Sequence, residues 1–165
     1  MSNSRALLDR YDAAMQAYVA DCSSDPSIWH RPNVEEFSEL YGLLTPYAEA
    51  GEMLCQYALA TILWAGLRCE SEEKHHASQA SAKEEATRWW IAAARRGYWP
   101  ALDNLFSAGV GKEADLAREA FHKLERERPD LVWLSSNVPI YGDEFVQELS
   151  RRLYGRVTLD ANDLS

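Results

Sequence analysis

The sequence predicts an all-α fold of about six or seven helices paired as antiparallel hairpins. Three observations lead there. Apolar residues recur at helical spacing through most of the chain. The full periodic sets each stop at a glycine, which suits the left-handed position just past a helix end. No stretch reads as a strand meander or a β-α-β unit.

The first helix carries Leu8, Tyr11, Met15, Tyr18, Val19 and Cys22 on one face, with Ser4 in its N-cap region. Ser23-Ser24-Asp25-Pro26 ends it, because Pro26 cannot continue a helix and Asp and Ser favour turns. After the loop 27–32, Asn33 is placed to cap a second helix, with Glu35 and Glu36 in its first turn. Leu40, Leu43, Leu44, Tyr47, Ala48 and Gly51 then follow at i, i+3, i+4, i+7, i+8 and i+11. Pro46 inside that set predicts a kink. Cys55, Ala58, Leu59, Ile62, Leu63 and Gly66 repeat the intervals, and so do Ala86, Trp89, Trp90, Ala93, Ala94 and Gly97.

Between the last two sets, residues 69–83 are polar and lack any large apolar side chain, so they read as a long inter-helix loop. Ala101, Leu105, Ala108 and Gly109 form a shorter set. Leu116, Ala117, Ala120, Phe121 and Leu124 make the next stripe, ended by Pro129. Residues 131–134 are apolar but short, and 135–139 read as loop. A last helix carries Phe145, Val146, Leu149 and Leu153 and stops at Gly155, before an acidic tail. At 165 residues the chain is expected to form one domain. It comprises a capping helix and loop (1–39), hairpins with a polar insertion at 69–83 (40–125), and a C-terminal cap and tail (126–165).

Aligning Gly51 with Gly97 pairs helix with helix and Leu59 with Leu105, so one helix–turn–helix unit is used at least twice. The run Ala86-x-x-Trp89-Trp90-x-x-Ala93-Ala94-x-x-Gly97-x-x-x-Ala101-x-x-x-Leu105 resembles the core of a SEL-one-like repeat. Leu59-Ala60-Thr61-Ile62-Leu63-Trp64-Ala65-Gly66 is similar to that family's Leu-Gly-x-Met-Tyr-x-x-Gly stretch, and a degenerate copy starts at Ala117. The resemblance covers residues 40–125. It implies a short right-handed α-solenoid, similar to tetratricopeptide arrays, with capping helices at both ends. Such arrays generally bind proteins and do no chemistry. A single hairpin cannot bury its apolar face, so copies must stack. Trp89 and Trp90 are read as core, Trp90 the more firmly.

The chain carries a net charge of −9, which disfavours phosphate backbones and anionic lipid, so neither nucleic acid nor membrane is expected as partner. Residues 1–85 hold 14 acidic and 6 basic residues, whereas residues 86–165 hold 12 and 11. Almost all the excess therefore lies in the first half. Cys22, Cys55 and Cys69 form no CxxC pair and fit a reducing compartment. With no apolar leader or membrane-length apolar run in the sequence, a soluble cytoplasmic protein is expected.

No phosphate-binding loop, GxSxG elbow, HExxH or calcium loop is present, and no catalytic residue, cofactor or metal is assigned. Glu72-Glu73-x-His75-His76 offers metal-ligand chemistry, but adjacent His on a loop do not fix a coordination sphere, and a solvated polar segment is preferred. Trp29, Tyr98, Trp99, Trp133 and Tyr141 fall in predicted loops or turns and are candidate anchors for a protein partner. Glu35, Glu36, Glu39, Glu72 and Glu73 are the candidate acidic contacts. The expected function is non-catalytic binding of a basic protein. Within that class, family analogy and the acidic first half favour an immunity-type inhibitor of a cognate toxin. The alternative is a scaffold or regulatory repeat protein, with an unrecognised enzyme or metal-binding protein behind it.

Overall fold

The computed structural model describes residues 3–22, 29–134, 139–141 and 143–155, with backbone alone at 132–134, 139–141 and 143. These residues form seven α-helices, one 3-10 turn and one two-stranded hairpin. The all-α expectation holds, with a minor β element added. The chain divides into two compact units, 1–89 and 90–165.

The first unit contains α1 (Asn3–Cys22), α2 (Val34–Glu49), α3 (Met53–Trp64) and the first part of α4 (Glu72–Arg95). Its core joins Tyr11 and Ala14 of α1, Phe37, Leu40, Leu44 and Ala48 of α2, and Cys55, Ala58, Leu59 and Ile62 of α3. Leu67 completes it, and Trp89 packs half-buried against it. α3 is apolar nearly all round. Gln56, its one buried polar side chain, donates to the Ala48 carbonyl at 3.0 Å. On α1 the buried face is shifted from the expected one: Ser4 is buried inside the helix, Ala14 turns inward, and Val19 is 61% exposed. Asn33 stands at the start of α2 in a left-handed conformation (φ 62°) with no side-chain cap bond. Its carbonyl, not its side chain, accepts the first helical N–H, from Phe37 at 3.0 Å. α2 continues through Pro46 to Glu49.

The glycine stops behave as expected. Gly51, Gly66 and Gly97 all have positive φ. In each case the glycine N–H and the next N–H bond back to Ala48 and Tyr47, Leu63 and Ile62, or Ala94 and Ala93. This is the paired C-terminal closure that satisfies the last helical carbonyls. Gly109 differs, being extended (φ −62°, ψ 149°).

Of residues 69–83, expected to be a loop, only 69–71 are outside a helix. Those three lead into α4, and 72–83 form its first half. The Lys74 N–H donates to Ser71 Oγ at 3.2 Å, so Ser71 acts as a cap. Glu72 and Glu73 occupy the first turn, where the helix dipole favours carboxylates. Lys74 pairs with Glu70, and His76 lies 3.5 Å from Glu72, both at i,i+4. Ala, Glu, Lys and Gln are good helix formers. Of residues 72–81, only His75 and Gln79 are not exposed, so this half of the helix carries no apolar period to detect.

The second unit contains the end of α4, α5 (Trp99–Ala108), α6 (Lys112–Glu127), a 3-10 turn (Pro129–Leu131), β1 (Val132–Leu134), β2 (Pro139–Tyr141) and α7 (Asp143–Tyr154). Phe121, Leu124, Leu131, Phe145 and Leu149 form its core, flanked by Trp99, Phe106, Ala120 and Leu153. Phe121 meets Phe106 at 4.5 Å between ring centroids and Phe145 edge-on at 5.5 Å. Ala114 takes the inward position at the start of α6, and Leu116, expected on the apolar stripe, is 50% exposed. Trp90, Ala93, Ala94, Ala101, Leu102 and Leu105 are buried.

Of the segment 135–139, expected to be loop, residues 135–138 lie outside the described residues and Pro139 belongs to a strand. β1 and β2 pair antiparallel, with Trp133 opposite Ile140. Each strand has three residues, too short for a two-residue alternation to show. Pro139 opens its strand, a position proline tolerates.

Candidate functional site

The candidate acidic contacts lie on two elements of the first unit. Val34 and the first turns of α2 present Glu35, Glu36 and Glu39 around a recess of about 500 Å³. Arg10 of α1 reaches into this group. Its guanidinium donates from two nitrogens to Glu36, both at 2.9 Å, and also to Glu39 at 3.1 Å. Those hydrogen bonds hold the Glu36 carboxyl below the usual carboxylate range. Glu35 and Glu39 are exposed and Glu36 is half-buried, so Arg10 offsets part of the charge that the sequence places there. Glu72 and Glu73 are exposed in the first turn of α4, not on a loop.

The candidate aromatic anchors are placed differently from one another. Trp29 is half-buried and stacked from within the unit: the Arg31 guanidinium lies 3.8 Å from its ring centroid and the His75 ring 5.2 Å away, tilted by 33°. Tyr98 caps the start of α5, and Trp99 is its first residue; both are half-buried, and Trp99 packs on the Phe121 core. Trp133 and Tyr141 have their backbones in β1 and β2, but their side chains lie outside the described residues.

Around Trp29 the chain builds a cluster with no marker in the sequence. Arg31 donates to the Ala65 carbonyl at 3.2 Å and the His30 carbonyl at 2.8 Å, and lies 5.3 Å from the Tyr18 ring centroid. Its charge is thus fixed between two aromatic faces. His75 projects from the first turn of α4 onto Gly66, and its Nδ1 is buried with no hydrogen-bond partner among the described residues. Burial, and secondarily the Arg31 charge, depress the His75 pKa, so the ring is neutral at pH 7. The His76 ring lies 5.9 Å from that of His75, but it is 62% exposed and its Nε2 is 3.5 Å from Glu72.

Beside His75 is a cavity of about 220 Å³ lined by Gly66, Arg68, Cys69, Ser78, Ser81 and Glu85, among others. Arg68 lies 4.0 Å over the Tyr41 ring, whose hydroxyl donates to Glu85. Burial first, then the Glu85 contact, push the Tyr41 phenol up to about 12. Lys83 sits 5.0 Å over Trp64. Among the described residues no three His, Cys, Asp or Glu converge as a metal-binding group. No helix among them is long and apolar enough to cross a membrane.

No family model, curated protein or solved structure matches the chain. In the second unit a further recess of about 440 Å³ has Leu116, Ala120, Leu153 and Tyr154 beside Arg95, Lys123 and Arg152. Burial pushes the Tyr154 phenol up to about 12.

Proposed function

We propose that the chain is a protein-binding module that uses the acidic surface of its first unit to capture a basic protein. Within that class, it is a bacterial cytoplasmic immunity-type inhibitor that blocks a cognate toxin. The observation that carries the reading is where the charge lies. Residues 1–89 hold 14 acidic and 7 basic residues, net −7, whereas residues 90–165 hold 12 and 10, net −2. Glu35, Glu39, Glu72 and Glu73 are exposed within the more acidic unit. Such a field steers a cationic partner and raises its association rate.

The SEL-one-like resemblance belongs to the same proposal. Helical hairpins closed by Gly51, Gly66 and Gly97, with buried Ala93, Ala94 and Trp90, are what a short solenoid of that family requires. Arg10 contributes by holding Glu36 and Glu39 in one geometry, which reduces the ordering cost on binding.

The test is capture of the partner by the tagged full chain in its native host, followed by expression of that partner alone and together with the chain. The reading expects growth arrest from the partner alone and recovery on co-expression. A partner without toxicity contradicts the immunity assignment, and a partner of acidic charge contradicts the binding mode.

A further inference from the structure

The first ten residues of α4 have little apolar surface to hold them to the rest of the unit. Between 72 and 81, only His75 and Gln79 are not exposed. His75 makes the larger identified contact. Its ring lies where a Cβ on Gly66 would be, 2.8 Å from that position at Cε1, and its other side faces Trp29. Gly66 has φ +63° and closes α3, so its backbone is held by the C-terminal bonds already described. Trp29 is braced from behind by Arg31, itself bonded to Ala65.

This arrangement accepts a neutral imidazole and opposes a charged one. Among the described residues nothing hydrogen-bonds to its buried Nδ1. A proton on that buried atom adds a donor that nothing satisfies in the closed seat, and a charge held partly away from solvent. The surrounding charge is mostly of the wrong sign. Arg31 comes from the 29–31 segment, and His76 and Lys83 from α4. Arg68 comes from the turn after Gly66 and lines the adjoining cavity with Cys69. Glu72 is the carboxylate that favours protonation, and Glu85, across the cavity, is already bonded to Tyr41.

We propose that His75 is an acid-released clasp: protonation expels its ring from the space between Gly66 and Trp29, and the polar first half of α4 comes away from the 29–31 segment. The depressed basicity of His75 places the release below the ordinary histidine range, so the clasp is closed at neutral pH. Release needs no unfolding of the helix itself, because the Ser71 cap and the Glu70–Lys74 pair are local to it. The proposal does not depend on the identity of any partner.

The experiment is a pH titration of the 15N-labelled full chain by NMR, from pH 7.5 to about 5, bracketing the unperturbed histidine value of about 6.5. The Trp29 indole signal is assigned with Trp29→Phe. The expected result is that the Gly66 amide, the Trp29 indole and the amides of residues 72–81 shift together, with one midpoint below that of a free histidine. His75→Phe, which stacks but does not titrate, abolishes the transition, and His76→Ala keeps it. His75→Gln serves the same purpose if the Phe variant does not fold. Absence of the coupled shift in the wild type, or its persistence in the His75 variant, overturns the proposal.

Discussion

The imidazole of His75 lies where a Cβ on Gly66 would stand, so residue 66 has no room for a side chain. Two separate demands thus fall on one glycine. It closes α3 with a left-handed φ of 63°, and it seats a ring from α4. Gly66→Ala is expected to lower unfolding free energy by about 1–3 kcal/mol through backbone strain, with the collision added. Adding His75→Ala to it removes the collision but not the strain. A double-mutant cycle by urea denaturation should show the two substitutions costing less together than the sum of their separate costs. Strict additivity would mean that the ring and the glycine do not constrain each other.

The aromatic core of the second unit gives a larger effect. Phe121 is 8% exposed and touches Phe106 and Phe145. Phe121→Ala should cost about 3–5 kcal/mol, the usual cost of such a cavity. Chemical denaturation of the full chain measures it. Leu116→Ala on the same helix, 50% exposed, should cost far less.

Alkaline titration separates the tyrosines. Tyr41 and Tyr154 are pushed up to about 12, whereas a free phenol ionises near 10. Tyrosinate difference absorbance should show a late-ionising fraction, to which Tyr18, also raised by burial, adds. Tyr41→Phe and Tyr154→Phe should each remove one late step. Because the folded state holds these protons more tightly, their contribution is present below about pH 10 and is lost as pH rises toward 12.

The acid limb has the opposite sign. Hydrogen bonds from Arg151 and Arg152 pull Glu148 down to about 2, and Arg10 lowers Glu36. Their stabilisation is present above the unfolded carboxylate range near 4.3 and is lost as pH falls below it. These are solvent-screened pairs, so the decline should be shallow and should flatten further in high salt. Thermal melts between pH 5 and about 2.5 at low and high salt test this.

The helix ends were readable because a left-handed closure singles out glycine, and Gly51, Gly66 and Gly97 all use it. The first half of α4 was not readable by apolar period. Its order comes from propensity, a cap and i,i+4 pairs, together with His75, whose seat on Gly66 no periodicity reveals. The strand pair was hidden by its length, since Val132–Leu134 and Pro139–Tyr141 each span too few residues to alternate. At the candidate site, Glu35, Glu39, Glu72 and Glu73 are on the surface as read. Trp29 was legible as an aromatic outside a helix, but its partners Arg31 and His75 were not. The stack joins residues 29 and 75, and helical periodicity within one segment carries no information about such a pair.

The central claim is that the acidic surface of residues 1–89 binds a basic protein. The most direct measurement is the affinity of the captured partner for the wild type and for Glu35→Lys/Glu39→Lys/Glu72→Lys/Glu73→Lys, across about 50–500 mM salt, a range over which the screening length falls severalfold. The account predicts tight binding at low salt that weakens steadily as salt rises, and loss of most affinity and salt dependence in the reversed variant. Equal affinity of the two proteins at every salt concentration would contradict it.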